Sequence, residues 1–182
     1  MEIETDTDGT IYCRIDRKRK FPVTSLLRIL GAETNEKIVE LFAKNADAKK
    51  VIEMTLSKDH AKTKDEAYME IHKRLRDGDL ATPENARNFV QALLREDRYD
   101  LSRVGRFRFN KRFSKSMDEK ELERRTLSLD DIATTVAHIV TLTTTPDTQP
   151  DDIDHLGSRR VRYVGELLEQ RNVGPGFAVL VV

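Results

Sequence analysis

Between Asp151 and Arg162 the chain reads Asp-Asp-Ile-Asp-His-Leu-Gly-Ser-Arg-Arg-Val-Arg. Three carboxylates and an imidazole are followed by three guanidinium groups, with a single glycine between acids and bases. Four chemistries use such residues. Asp151, Asp152 and Asp154 could share a hard cation such as magnesium, although the arginines that follow compete for the same carboxylates. Asp154 and His155 could trade a proton as general acid and base, but adjacency alone supports that. Their order is also the reverse of the His-Asp metal phosphohydrolase motif. A purely structural Asp–Arg ion-pair network is the bland alternative. Recognition of nucleic acid fits the pattern best: arginine pairs phosphate or guanine in a fork, and an aspartate nearby orients it or reads a base edge. Ile153 and Leu156 inside the run suggest a rigid, partly buried turn.

Net charge is zero at neutral pH, so nothing steers the whole chain toward a polyanion. Nucleic-acid contact must come from local patches, at Arg17 to Lys20, Arg103 to Arg112 and Arg159 to Arg162. Apolar residues make up 38% and charged residues 35% of the 182 residues, and tryptophan is absent. This suits a thin, charged domain or a part of a larger assembly. A single cysteine, Cys13, excludes internal disulfides and cysteine-built zinc sites. His60, His72, His138 and His155 are scattered, with no metal-ligand spacing between them. The acidic start, Met1-Glu2-Ile3-Glu4, lacks a signal-peptide core, and no apolar run reaches bilayer length. The expectation is a soluble, cytoplasmic protein with no membrane partner.

The elements that must position these groups are mostly helical. Residues 2 to 16 read as a β-hairpin turning at Asp8-Gly9, with Ile11, Cys13 and Ile15 on one face. The strand runs into Asp16-Arg17-Lys18-Arg19-Lys20, either a solvated loop or a phosphate-facing patch in which Asp16 orients an arginine. Pro22 opens a helix with Val23, Leu26, Leu27 and Leu30 inward, ended by Gly31. Thr34 caps a second helix that turns Ile38, Leu41 and Phe42 inward. A third spans 47 to 56, with Val51 and Met54 buried. Thr63 and Glu66 form a capping box before a helix burying Ala67, Tyr68, Ile71 and Leu75. Thr82-Pro83-Glu84 starts the next, with Ala86, Phe89, Val90, Leu93 and Leu94 on one face. Residues 104 to 113 interleave basic residues with Phe107, Phe109 and Phe113, either to stack bases or to anchor a core while the basic side chains snorkel. Residues 114 to 126 read as a loop or frayed helix. Ser128 caps a last long helix with Leu129, Ile132, Val136, Ile139 and Val140 inward, and a short helical pattern follows from Val164 to Gln170. The fold class is α+β, mostly α-helical with an N-terminal β-hairpin, and a partial domain of a larger subunit.

At Asp151 to Arg162, followed by Val164-Gly165-Glu166, the sequence resembles the β subunit of bacterial DNA-directed RNA polymerase. Further segments match in order: Arg14 to Lys20 with Pro22 and Leu26-Leu27-Arg28; Pro83 to Asn88; and Asp97 to Leu101 with Val104-Gly105-Arg106 and Asn110-Lys111. The likeness spans roughly residues 2 to 171. It implies a lobe-like region over 1–145, the start of a fork-like region over 146–171, and a divergent tail over 172–182. By resemblance, Asp154 and Arg159 help form a pocket for an unstacked non-template-strand guanine, and Asp16 lies close by; the residues themselves lead to the expectation that Arg17, Arg159, Arg160 and Arg162 supply positive charge to nucleic acid. The implied partners are DNA, the β′ and α subunits and sigma factor. No cofactor belongs to this chain; magnesium is expected in the β′ subunit, where the family keeps its catalytic aspartates. The chain is therefore expected to contribute non-template and downstream DNA contacts to RNA synthesis without catalysing it alone. Ser158 replaces the family's usual asparagine. After Gln170 the likeness stops, as after a change of reading frame or in a fragment. A free-standing helical nucleic-acid-binding module, a metal-dependent hydrolase on the aspartates and a non-functional truncated product are the alternatives.

Overall fold

The computed structural model describes residues 1–79, 82–145, 152, 155–157, 163–165 and 168. The chain divides into two compact units, Met1–Pro146 and Asp147–Val182. The first begins with a three-stranded antiparallel sheet, β1 (Glu2–Thr5), β2 (Ile11–Arg14) and β3 (Phe21–Pro22), in that order. Eight helices follow among the described residues: α1 (Val23–Leu30), α2 (Asn35–Leu41), α3 (Ala46–Lys58), α4 (Lys64–Leu75), α5 (Pro83–Leu93), α6 (Ser102–Arg112), α7 (Glu119–Glu123) and α8 (Leu129–Thr144). None of the described helices is long and apolar enough to cross a membrane. The α+β, mostly helical class expected from the sequence is the one observed.

The hairpin forms where its turn chemistry demands. Gly9 takes φ +81°, the left-handed conformation that a tight turn needs and glycine supplies without strain. The register Ile3↔Cys13 and Thr5↔Ile11 follows, and the alternation along β2 buries Ile11 and Cys13 fully. Burial pushes the Cys13 thiol up to about 12. The strand pair β2–β3, with Cys13 opposite Phe21, was not anticipated: a two-residue strand leaves too short a pattern to read.

Helix α1 is the core of the first unit. Every residue from Val23 to Ile29 is buried, including Thr24, Ser25 and Arg28, and the helix touches β2, β3, α2, α3, α4 and α8. Fully burying Leu26 or Leu27 is worth about 1.5–3 kcal/mol each. Its polar residues are satisfied from neighbouring elements. Asp59, just past α3, accepts from Thr24 Oγ1 (2.5 Å) and Ser25 Oγ (3.1 Å), and from the Ala61 N–H (2.9 Å). Arg28 Nη1 donates to the carbonyls of Glu33 (2.8 Å) and Lys62 (3.0 Å), and Nη2 donates to Asn35 Oδ1 (2.6 Å).

The capping signals hold. Thr63 and Glu66 make the reciprocal capping box on α4, and Ser128 and Asp131 make another on α8. Some inward assignments shift. Leu41 is exposed, because the buried side of α2 is Ile38 with Phe42 just beyond it. Val51 and Met54 are half-buried, and α3 instead turns Ala48, Ile52 and Thr55 to the core.

The far end of this unit is held by charge. Arg106 on α6 is fully buried and donates to Asp131 Oδ2 (2.9 Å) and to the carbonyls of Arg124 (2.6 Å) and Thr126 (2.5 Å). Burial pushes Asp131 up, but hydrogen bonds from the Ser128 backbone, Arg106 and Lys115 outweigh it and hold the carboxyl below its usual range. Because the folded value is depressed, this stability is present above the ordinary aspartate pKa, near 3.9, and is lost as pH falls through the lower folded value. Asp131→Asn should flatten the acid limb of a pH series of urea midpoints. Arg106→Ala, which strands a buried carboxylate, should cost about 3–5 kcal/mol in urea unfolding at neutral pH.

Candidate functional site

Six basic residues converge beside the sheet. The segment joining β2 to β3 turns at Asp16-Arg17, where the Lys18 N–H donates to the Ile15 carbonyl (3.1 Å). Both central residues have positive φ, +52° for Asp16 and +56° for Arg17. That is the signature of a type I′ turn, the hairpin turn whose twist suits the flanking strands. Such turns favour Asn-Gly or Asp-Gly; here Asp16 suits the first central position, and Arg17 carries the left-handed conformation where glycine is preferred. The turn brings Arg17 to a shallow concavity of about 530 Å³, which it lines together with Arg14, Lys18, Arg19, Lys20 and Arg74.

The other basic residues are engaged. Arg14 pairs with Glu4 (2.9 Å), Arg19 with Asp77 (2.8 Å), Lys20 with Asp6 (2.7 Å) and Arg74 with Glu70 (2.8 Å). The Asp6 hydrogen bond raises Lys20 above its ordinary value, and Lys20 lowers Asp6 in turn. Lys18 Nζ donates to the Leu75 carbonyl (2.9 Å) at the C-terminal end of α4, where an ammonium satisfies an orphan acceptor. Arg17 is exposed and has no carboxylate partner among the described residues. Asp16 forms no ion pair with an arginine among the described residues, and the left-handed turn leaves it exposed at the tip. Arg74 was missed in the sequence, since only the fold brings α4 beside a turn 57 positions earlier.

Asp154, Arg159, Arg160 and Arg162 lie outside the described residues. Around them, the His155 N–H donates to Asp152 Oδ1 (3.1 Å), and the Gly157 N–H donates to His155 Nδ1 (3.1 Å). A Cβ on Gly157 would meet that ring nitrogen at 3.1 Å, so the glycine permits the close turn. Leu156 is 77% exposed, which corrects the expectation that it is buried in this turn. Of the Val164 to Gln170 pattern, Val164, Gly165 and Leu168 are described, and all three are helical. Among the described residues, no group of three or more His, Cys, Asp or Glu side chains is placed to hold a metal.

The aromatic-basic stretch becomes α6, and helical geometry divides it. Phe109 and Phe113 meet with tilted rings (centroids 4.7 Å, 55° between planes), and Phe113 meets His138 edge-on (5.3 Å). Phe107 faces outward, 45% exposed, so the three phenylalanines do not form one core cluster.

These observations define a mostly helical α+β domain with one basic edge built on a strained strand-to-strand turn. Its sequence matches, over residues 1–162, the family model described as RNA polymerase Rpb2, domain 2. The DNA-directed RNA polymerase subunit beta of Syntrophomonas wolfei subsp. wolfei (strain DSM 2245B / Goettingen) is 41% identical over 172 residues, covering 94% of this chain and 15% of that protein. The chain belongs to this RNA polymerase β-subunit family and carries its second domain. It spans about 15% of the length of the curated relative it matches.

If the turn at Asp16-Arg17 carries strain for the sake of Arg17, an Asn-Gly turn should relieve it. The double substitution Asp16→Asn, Arg17→Gly should raise stability by about 1 kcal/mol, read as a higher urea midpoint with an unchanged slope.

Proposed function

We propose that this domain serves a multisubunit RNA polymerase by holding DNA, with the basic turn at Arg17 as a phosphate contact, and that it takes no part in the bond-making chemistry. The observation that carries the reading is Arg17 itself. It is an exposed guanidinium without a carboxylate partner among the described residues, held by a left-handed turn at a concavity it lines with five other basic side chains. Phosphate contacts position a protein on nucleic acid without reading sequence, and a planar guanidinium suits that task. The surrounding cations are anchored to carboxylates or a helix end, so the concavity is shaped in advance and little side-chain freedom remains to be lost on binding.

In this reading Asp154, Arg159, Arg160 and Arg162 contribute base and backbone contacts to the displaced non-template strand. The similarity of their sequence to the polymerase β subunit supports that assignment. The partners are DNA and the remaining polymerase subunits, with sigma factor, and the catalytic magnesium belongs to the β′ subunit. The compartment is the cytoplasm.

Salt titration of single-stranded DNA binding to the chain tests the phosphate contact. Each contact to a single strand contributes a slope of about 0.7 in log K against log salt. Arg17→Ala should weaken binding and reduce that slope by about 0.7, equally for different sequences, with a chelator having no effect. An unchanged slope would remove Arg17 from the interface. Binding abolished by the chelator would favour the metal-dependent alternative.

A further inference from the structure

The turn that carries Arg17 is tied to the end of α4. Lys18 and Arg19, the two residues that follow Arg17, both reach it. Lys18 Nζ donates to the Leu75 carbonyl (2.9 Å). Arg19 meets Asp77 as a fork, with Nη2 2.8 Å from Oδ2 and Nη1 3.4 Å from Oδ1. The anchor is itself fixed. Leu75 is buried, the Arg76 N–H donates to the His72 carbonyl (2.7 Å), and the Arg76 guanidinium lies over the Phe89 ring of α5 (4.8 Å to the centroid). The turn needs such an anchor. Arg17 holds φ +56°, a costly conformation for an L-residue, and strained backbone persists only where surrounding contacts over-determine it. Asp16 and Arg17 are both exposed, so the tip adds little packing of its own.

We propose that Asp77 and Lys18 are positioning residues for Arg17: they hold the turn against the end of α4 in the conformation that presents its guanidinium to phosphate. These roles rest on Arg17 being a phosphate contact. Neither residue pairs with the DNA; each acts through Arg17. Without them the turn spends part of its time in other conformations, and the apparent affinity falls with the competent fraction. For Asp77, simple electrostatics predicts the opposite sign. Removing a carboxylate beside a polyanion, and releasing Arg19 to pair with phosphate, would tighten binding and steepen its salt dependence. The Arg19–Asp77 fork is exposed, and exposed ion pairs contribute little to global stability, so position can be lost while the fold is kept.

The test is a double-mutant cycle on the full chain, read by single-stranded DNA binding across a salt series. Asp77→Asn should weaken binding about threefold with an unchanged slope, and Asp77→Glu should restore it. In an Arg17→Ala background, Asp77→Asn should change nothing. Lys18→Met should behave as Asp77→Asn does. Without DNA, NMR should show faster exchange in both variants of the Lys18 amide, which donates to the Ile15 carbonyl across the turn, while the urea midpoint stays in place. Unchanged or tighter binding by Asp77→Asn would overturn the proposal, as would equal weakening in the Arg17→Ala background. So would an unchanged amide exchange rate, a urea midpoint that falls with the affinity, or a Lys18→Met slope reduced by about 0.7, which would make Lys18 a contact in its own right. The slope of Arg17→Ala alone tests the phosphate contact, so failure of that contact and failure of the positioning are told apart.

Discussion

A guanidinium without access to water fixes the second half of this domain. Taking Arg106 out of solvent costs several kcal/mol unless a counter-charge and further acceptors replace the lost water. Asp131 supplies the charge, and the carbonyls of Arg124 and Thr126 supply two more acceptors. Those partners come from the segment before α8 and from its first turn. One side chain therefore determines where α6 lies, how the chain passes from α7 into α8, and which face of α6 is left outward. Lys115 reaches the same carboxylate at 3.1 Å, and Arg125 pairs with Asp100 at the entry to α6. The cluster closes a loop of chain that contributes little apolar surface of its own.

The same solution appears around α1, where Arg28 joins the α1–α2 connection to the segment before α4, and Asp59 fastens the start of α1 to the end of α3. Apolar residues are only 38% of the sequence, so the core built on α1 and the sheet cannot reach every element. Directional polar contacts do the joining where hydrophobic area is short. Such contacts tolerate substitution poorly, since removing one partner leaves the other buried and unsatisfied.

Local signals in the sequence were legible because their causes are local. Asp8-Gly9, Thr63 with Glu66, Thr82-Pro83 and Ser128 each mark an element through chemistry confined to a few residues. The alternation of Ile11, Cys13 and Ile15 names the buried face of β2. Buried charge has no such signature. Arg106 reads as one more cation in a basic run, because its partner Asp131 lies 25 positions on and looks like an ordinary acid at a helix start. The basic turn was visible as a composition, but its left-handed geometry was not, since Arg17 stands at the second central position where that turn favours glycine. The pairing that sets Arg17 apart depends on Glu4, Asp6, Glu70 and Asp77, from three other parts of the chain. The family resemblance found in the sequence agrees with the match over residues 1–162, while the roles it implies for Asp154 and Arg159 concern residues outside those described.

Cys13 has a practical consequence of a different kind. It is the sole thiol, it is fully buried in the middle of β2, and its thiolate is strongly disfavoured at neutral pH. Thiol reagents attack the thiolate, so in the closed state this residue should be almost silent to them. Modification then requires the sheet to come apart, and the labelling rate becomes a clock for that opening. The protein carries its own single-site reporter of how often its N-terminal sheet opens, readable by mass spectrometry without any engineered probe.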